Sequence, residues 1–366
     1  MTAPLVIRVK EKDNVAIAVH DLPVGTEVLP GVVSLQPIPQ AHKIALTDIP
    51  KGGEIIRYGV VLGYARDDIP KGSWINEHML DLPESPALHD LPYATHIVPP
   101  EELPDPVRTT WWGYRNKKGP AGTRNLLGVV TTVQCAAGVV NVAVDRIRRE
   151  LLPKYPHVDD VVAVNHPYGC GVAINAPMAR IPIRAVRNLI RHPNFGGEIM
   201  VIGLGCEKLT YDRLLEPEEI NPDNCLTLQD CHGHDAMMQA ILDMAEKKLQ
   251  KLEKRRREEL PLSELVVGMQ CGGSDAFSGL TANPSAGYAA DMLVKGGGTV
   301  MFSEVTEVRD GVPMLAARCV NREVRDKLAA EMKWYDDYLA EGGVDRDANP
   351  CLLYTSDAAD DLIGVD

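Results

Sequence analysis

Apolar residues follow two different patterns along the chain, and the change between them divides it. From about residue 126, short apolar runs that fit buried strands alternate with longer stretches of helical period. The predicted strands are residues 126–133, 161–164, 199–204, 265–269 and 298–302, and the predicted helices are residues 143–152, 236–260, 286–295 and 323–338. Strands that alternate with helices form a parallel sheet with helices on its faces, so we predict an α/β fold here.

The first part of the chain predicts a β-rich domain. Short strand-like runs are broken there by Pro and Gly turn signals, and the pair His42-Lys43 directly precedes one such run. A stretch with prolines every few residues and no periodicity follows, which is typical of an extended linker. We therefore predict a multidomain α/β protein with a β domain at 1–82, a linker at 83–110, an α/β second domain at 111–260 and a third domain at 261–350.

Four of the eight cysteines lie just past predicted strands of the α/β part, namely Cys135, Cys170, Cys206 and Cys271. The carboxyl ends of parallel strands form the edge at which open α/β sheets bind ligands. Thiolates at such an edge are soft ligands for iron or tuned nucleophiles. The alternative is that these cysteines are small buried hydrophobic residues.

Polar side chains accompany these cysteines. His166 stands four residues before Cys170 in a loop bent by Pro and Gly, which makes it a candidate ligand or base. Strand 265–269 is followed by a Gly-rich loop, a helix and strand 298–302, the order of a βαβ unit, and its predicted ligand-binding edge carries Ser274, Asp275, Glu304 and Glu307. Glycine runs at 203–205 and 296–298 lack the dinucleotide-binding spacing, so a nicotinamide-dependent oxidoreductase is the weaker alternative.

Composition narrows the class of protein further. A net charge of -13 argues against a nucleic-acid groove, which needs concentrated Lys and Arg. No apolar run is long enough to span a bilayer, and the first residues lack a signal-peptide pattern, so we expect a cytoplasmic protein that does not insert into a membrane. The cysteine spacing shows no CxxC pair, which favours reduced thiols.

A series of motifs along the chain resembles the galactarate and altronate dehydratase family. They are Lys12-Asp13-Asn14-Val15-Ala16, His42-Lys43, Gly122-Thr123-Arg124-Asn125, His166 to Cys170, Gly203 to Glu207, Cys271 to Asp275 and Thr281 to Pro284. The resemblance implies an N-terminal β-clip (SAF-like) domain, a second domain used in homodimer contact and a Rossmann-like C-terminal domain. It also implies divalent iron and the loss of water from galactarate, which gives 5-dehydro-4-deoxy-D-glucarate. The residues at 112–116 and 302–310 are more similar to the galactarate enzymes than to the altronate enzymes.

Two departures from the family pattern accompany this resemblance. The family usually shows His near Lys10 and Gly at Ala41. After Pro350 the chain reads CLLYTSDAADDLIGVD, which resembles a translated sequencing adapter. We therefore expect a C-terminally truncated Rossmann-like domain followed by a non-native tail at 351–366.

The chemistry of dehydration assigns hypothetical roles to these residues. Removing a proton next to a carboxylate needs a base, a group that stabilises the developing charge, and an acid for the departing hydroxyl. We predict His42, His166, Asp275 and Glu304 as catalytic residues, Lys43, Arg124, Ser274 and Asn283 as ligands of an aldarate substrate, and Cys135, Cys170, Cys206, Cys271 and Glu307 as metal candidates. Ligand and acid/base roles stay open for the histidines. The alternatives are another sugar-acid dehydratase, or a binding protein or inactive fragment with an exposed apolar face.

Overall fold

The computed structural model describes residues 4–97, 104–106, 108–270, 277–303, 305 and 308–344. The chain forms two compact units. Unit 1 contains Met1–Pro106, Val267–Lys295 and Val300–Asp366, and unit 2 contains Val107–Val266 and Gly296–Thr299. The predicted tail at 351–366 lies outside the described residues. Among the described helices, none is both long and apolar enough to cross a membrane.

The N-terminal part of unit 1 is built from short strands, as predicted. They are β1 (Val6–Ile7), β2 (Val15–Ala18), β3 (Glu27–Leu29), β4 (Val32–Val33), β5 (Lys43–Ala45), β6 (Glu54–Arg57), β7 (Val60–Ala65), β8 (Trp74–Ile75) and β9 (Leu80–Asp81). Sheets form in the orders β1-β2-β5-β8, β6-β7-β9 and β3-β4. Successive residues of a strand point to opposite faces, so Val15 of β2 joins one buried cluster while Ala16 and Ala18 join another.

Unit 2 contains a parallel sheet in the order β12-β11-β13-β14. Its elements along the chain are β10 (Thr110–Gly113), β11 (Leu126–Thr131), α1 (Ala137–Arg146), β12 (Asp160–Val164), α2 (Arg180–Ile190), β13 (Val201–Gly203), β14 (Cys225–Thr227), α3 (His234–Leu252) and β15 (Glu258–Pro261). Alternation of strands and helices along the sequence therefore predicted this part of the architecture correctly.

Helices cover the sheet on both faces because alternate strand residues face opposite ways. Leu127 and Val129 of β11 pack in one cluster with α1 and α3. Val130 of β11 packs in another cluster with Val186 and Ile190 of α2. The arrangement is a doubly wound sheet, and all four of its strands end at one edge.

The predicted helix 236–260 is wrong at its carboxyl end. Helix α3 ends at Leu252, and the chain then forms β15, which pairs antiparallel with β10. Arg255 explains the break, since its guanidinium donates hydrogen bonds to the side-chain oxygens of Asn116 and Asn125 at 2.7 Å and 2.9 Å. These contacts draw the chain out of the helical path, and a helical apolar pattern does not reveal them.

The remaining elements are β16 (Val266–Met269), α4 (Ala282–Lys295), β17 (Thr299–Phe302), α5 (Val312–Ala317) and α6 (Arg322–Glu341). Strands β16 and β17 are hydrogen-bonded neighbours, so the predicted strand–helix–strand order is present. Among the described residues after Leu262, the strands form only this two-stranded pair. A truncated Rossmann-like domain therefore stays a prediction. The doubly wound sheet itself belongs to unit 2.

The predicted linker packs against the last two helices of unit 1. Leu88 and Leu91 join a cluster with Val312 and Ala316 of α5 and Met332 of α6. The backbone oxygen of Pro86 accepts a hydrogen bond from Arg309 at 2.9 Å, and that of Leu91 accepts one from Arg325. This part of the linker is therefore held in place by its contacts.

Candidate functional site

The carboxyl edge of the unit 2 sheet carries a group of the predicted residues. Cys135 follows β11, His166 and Cys170 follow β12, and Cys206 follows β13. Because the strands are parallel, their carboxyl ends meet at the same edge, where α/β proteins bind ligands. The structure thus brings these four residues to the carboxyl edge of the sheet.

Among the site candidates that the structure describes, His166 is the most completely buried, with 1% of its surface exposed. Its backbone N–H donates to Thr131 Oγ1 at 2.8 Å, and its ring Nδ1 accepts a hydrogen bond from the backbone N–H of Tyr168 at 3.0 Å. The other ring nitrogen, Nε2, is buried and has no hydrogen-bond partner within the described part of the chain. Burial lowers the pKa of His166 and favours the neutral ring.

These contacts decide whether His166 can act as a hydrogen-bond donor, a metal ligand or a base. A backbone N–H can only donate, so Nδ1 must carry the lone pair, and a neutral ring then carries its proton on Nε2. Metal-bound histidines usually bind through one nitrogen and donate from the other, which this contact prevents at Nδ1. Neutral His166 therefore offers a buried hydrogen-bond donor and has no free lone pair with which to act as a base.

Glu207 lies on the same edge and was not singled out from the sequence. Its carboxylate accepts hydrogen bonds from the backbone N–H groups of Leu204 at 2.9 Å and Gly205 at 2.6 Å, and from the Thr132 hydroxyl. Burial alone would raise the pKa of Glu207, but these hydrogen bonds together lower it. The carboxylate is thus charged and tied to its own loop.

Glycine at 203 and 205 gives this loop its shape. A Cβ at Gly203 would lie 2.8 Å from Glu207 Oε1, and one at Gly205, where φ is +120°, would lie 2.8 Å from Gln229 Oε1. The Gly-Leu-Gly-Cys-Glu motif was available in the sequence as a signal. Its glycines and its acid are explained by this close approach, with no dinucleotide required.

The cysteines at this edge do not form a metal centre by themselves. Cys135 and Cys206 are exposed, and Cys170 packs against the cluster between the sheet and α1. Across the ranges that the structure describes, no three or more His, Cys, Asp and Glu side chains form a group able to hold a metal ion. The described donors thus do not fit a divalent iron site; Cys271 and Glu307 lie outside the described residues.

Arg124 is not at this edge. It precedes the first residue of β11, so it lies at the opposite end of that strand from His166 and Cys135. Its side chain is exposed, and its backbone N–H donates to Asn194 Oδ1 at 3.2 Å. A strand rises roughly 3.3 Å per residue, so β11 keeps Arg124 far from the carboxyl edge within this unit.

A second group of predicted residues lies in unit 1. Lys43 is buried in β5, and the half-buried ring of His42 precedes it. Burial, then Lys43, lowers the pKa of His42, whereas Glu77 acts in the opposite direction. Ala41 has a φ of 71°, a left-handed conformation that costs a residue with a Cβ about 1–2 kcal/mol. A glycine, which the resemblance implies at this position, would have that conformation without strain.

Residues after the predicted Gly-rich loop contact this region within unit 1. Phe277 and Leu280 pack with Ala41 against Ile17 and Tyr58. Asn283 is buried at the start of α4, where its backbone N–H donates to the backbone oxygen of Ser278 at 2.8 Å. The segment that precedes Asn283 therefore packs beside Ala41, the residue before His42. Three other predicted residues, Ser274, Asp275 and Glu304, lie outside the described residues.

Models of three domains of one enzyme family match the chain in sequence. The Altronate/galactarate dehydratase SAF domain matches residues 4–83, the D-galactarate dehydratase/Altronate hydrolase second domain matches 113–253, and the D-galactarate/Altronate dehydratase C-terminal domain matches 262–352. The N-terminal β domain is thus a SAF domain, as expected.

Curated relatives agree with these matches. The galactarate dehydratase (L-threo-forming) of Escherichia coli K12 is 57% identical over 94% of this chain and 67% of its own length. The altronate dehydratase of Bacillus subtilis 168 is 33% identical over 91% of this chain and 66% of its own length. The beta subunit of a (2R)-sulfolactate sulfo-lyase from Chromohalobacter salexigens is 28% identical over 63% of this chain and 55% of its own length. The chain spans about two thirds of the length of the two dehydratases.

Proposed function

Because the chain belongs to the galactarate/altronate dehydratase family, we propose that it is a hydro-lyase that removes water from galactarate to give 5-dehydro-4-deoxy-D-glucarate. The observation that carries the choice of substrate is the 57% identity to a galactarate dehydratase, compared with 33% to an altronate dehydratase. An altronate-specific enzyme is the less supported alternative.

The described residues supply the part of this reaction that stabilises charge. In dehydration, a base takes the proton next to the carboxylate and a carbon–carbon double bond forms. The neighbouring hydroxyl accepts a proton from an acid and leaves as water, and the enol then becomes the ketone. Negative charge develops on the substrate oxygens during the first step. The buried Nε2–H of His166 is suited to donate to such an oxygen, because a fixed donor in a dry site stabilises charge strongly.

The remaining roles stay proposals at the level of residue type. A base is required, and Asp275 and Glu304 are the carboxylates proposed for it. Lys43, Ser274 and Asn283 are proposed to hold the substrate oxygens. We draw no step through a metal, since the described donors do not assemble a site for one. Requirements for divalent iron, a homodimer and a cytoplasmic location also stay proposals.

One observation favours the alternative of an inactive fragment. Met301 and Phe302 of β17 are 54% and 44% exposed, which is the kind of apolar face expected where covering strands are absent. The 57% identity to a galactarate dehydratase weighs against this alternative. Turnover by the chain itself distinguishes the two.

The test is anaerobic incubation of the chain with galactarate or altronate, with and without added Fe²⁺, scored by keto-acid formation. We expect faster turnover of galactarate, and a loss of roughly 100-fold in kcat for His166→Ala, as for removal of one charge-stabilising donor. His89→Ala, at an exposed position in unit 1, is the matched control. Faster turnover of altronate would contradict the choice of substrate. Turnover of neither acid, while the Escherichia coli relative is active in the same assay, would contradict the proposed activity.

A further inference from the structure

Trp74 makes a directed contact with His42 in unit 1. The indole Nε1–H donates a hydrogen bond to His42 Nδ1 at 3.1 Å. The two rings meet edge to face, with centroids 5.3 Å apart and an angle of 79° between their planes. An indole nitrogen can only donate, so the lone pair of His42 must be on Nδ1 and the proton of the neutral ring on Nε2.

Both partners of this contact are held by the backbone. Trp74 lies on β8, opposite Ile44 of β5, and its side chain packs against a buried cluster of the N-terminal domain. The backbone of His42 is fixed on both sides, because its N–H donates to the Pro39 oxygen at 3.1 Å and its oxygen accepts from Ala18 N–H at 2.9 Å. The direction of the indole N–H is therefore built into the sheet.

The charged groups near His42 do not replace this contact. Lys43 acts against protonation of the ring, and Glu77 acts in favour of it. Both groups act on whether the ring gains a second proton, whereas the indole N–H is hydrogen-bonded to one particular ring nitrogen, Nδ1.

We propose that Trp74 is a positioning residue that holds His42 as the Nε2–H tautomer, so that His42 donates a hydrogen bond to a carboxylate or hydroxyl oxygen of the sugar acid and does not act as the base. This proposal rests on the proposed function for its substrate. His166 has the same tautomer through a different donor, the backbone N–H of Tyr168. The base of the reaction is then neither histidine, which leaves that role to a carboxylate.

The test is a measurement of the tautomer on the chain labelled with ¹⁵N-histidine, with the His42 signals assigned by their loss in His42→Gln. We expect Nδ1 of His42 to be unprotonated and Nε2 protonated in the unmodified chain. Trp74→Phe keeps an aromatic ring but removes the donor, so the Nδ1–H tautomer should become populated and the pKa of His42 should rise. Trp112→Phe is the matched control, because Trp112 is exposed on β10.

Activity gives the second measurement. We expect Trp74→Phe to lower kcat/KM for galactarate by roughly 2- to 10-fold, the factor that one hydrogen bond contributes, with Trp112→Phe unchanged. A protonated Nδ1 in the unmodified chain would overturn the proposal, and so would an unaltered tautomer or unaltered kcat/KM in Trp74→Phe. If the chain dehydrates neither acid but its tautomer responds to Trp74→Phe, the proposed function fails and the positioning by Trp74 stands.

Discussion

Two parts of the chain have the same strand–helix–strand pattern but differ in how well their strands are covered. In β11, every residue after the first is buried. In β17, Thr299, Met301 and Phe302 are exposed and only Val300 is half-buried. Apolar runs predicted both strands, a longer one at 126–133 and a shorter one at 298–302, and neither run shows from its own residues how well its strand is covered.

Neighbouring elements account for the difference. Strand β11 has a parallel partner on each side and helices on both faces. Among the described residues, β17 has β16 as its strand partner. An apolar run thus determines that a strand forms, while the number of packed neighbours determines how much stability the run contributes.

The largest expected difference between the two strands is in the free energy of unfolding. Leu127→Ala in β11 removes a fully buried side chain and should cost about 2–5 kcal/mol, because it leaves a cavity between the sheet and its helices. Met301→Ala in β17 removes a side chain that is 54% exposed and should cost no more than about 0.5 kcal/mol. Urea unfolding followed by far-UV circular dichroism measures both. Equal losses would show that β17 is covered in solution, for example by a second copy of the chain.

Amide hydrogen exchange gives a second, smaller contrast. Peptides that contain Leu126–Thr131 should exchange on the order of 100-fold more slowly than peptides that contain Thr299–Phe302, because an uncovered two-stranded pair opens without unfolding the rest of the chain. Mass spectrometry after timed labelling measures this. Strand β12, which belongs to the same sheet as β11, serves as the internal reference, and equal protection of β12 and β17 would contradict the contrast.

Much of the fold could be predicted from the sequence, because strand and helix patterns are local. The parallel sheet and the edge that carries Cys135, His166 and Cys170 follow from apolar runs and the residues after them. Arg124 precedes β11 in the sequence, so the residue order already indicates the amino end of that strand. Its role as a substrate ligand stays a prediction.

Contacts that depend on the folded geometry could not be predicted in this way, whether the two residues are far apart or close in sequence. The indole of Trp74 reaches His42 from 32 positions along the chain, and the N–H of Tyr168 fixes the tautomer of His166 by a turn of the loop. No pattern of residue types distinguishes a histidine that donates from one that accepts. The direction of a neighbouring N–H makes that distinction, and it depends on folded geometry.

The smallest expected effect is a pH dependence of the free energy of unfolding that comes from His166. This residue lies at the covered edge of the sheet, where burial lowers its pKa. An unfolded histidine titrates near about 6.5, so below that pH the unfolded chain binds a proton that the folded chain does not. Stability due to His166 is therefore complete above that value and is lost as the pH falls towards the lowered pKa. For one proton the slope cannot exceed about 1.4 kcal/mol per pH unit.

Urea midpoints measured from pH 7 down to pH 5 test this effect. The relevant quantity is the change in midpoint per pH unit, and not the midpoint at any one pH. His166→Gln should flatten the slope, and His89→Gln, at an exposed position, should not. A residual slope is expected from His42 and His192, whose pKa values burial also lowers. Glu207 does not contribute in this range, because a carboxylate with a lowered pKa loses its contribution only at more acidic pH. An unchanged slope in His166→Gln would mean that the ring of His166 gains its proton as easily as in the unfolded chain, and the covered edge would then be as open to water as β17.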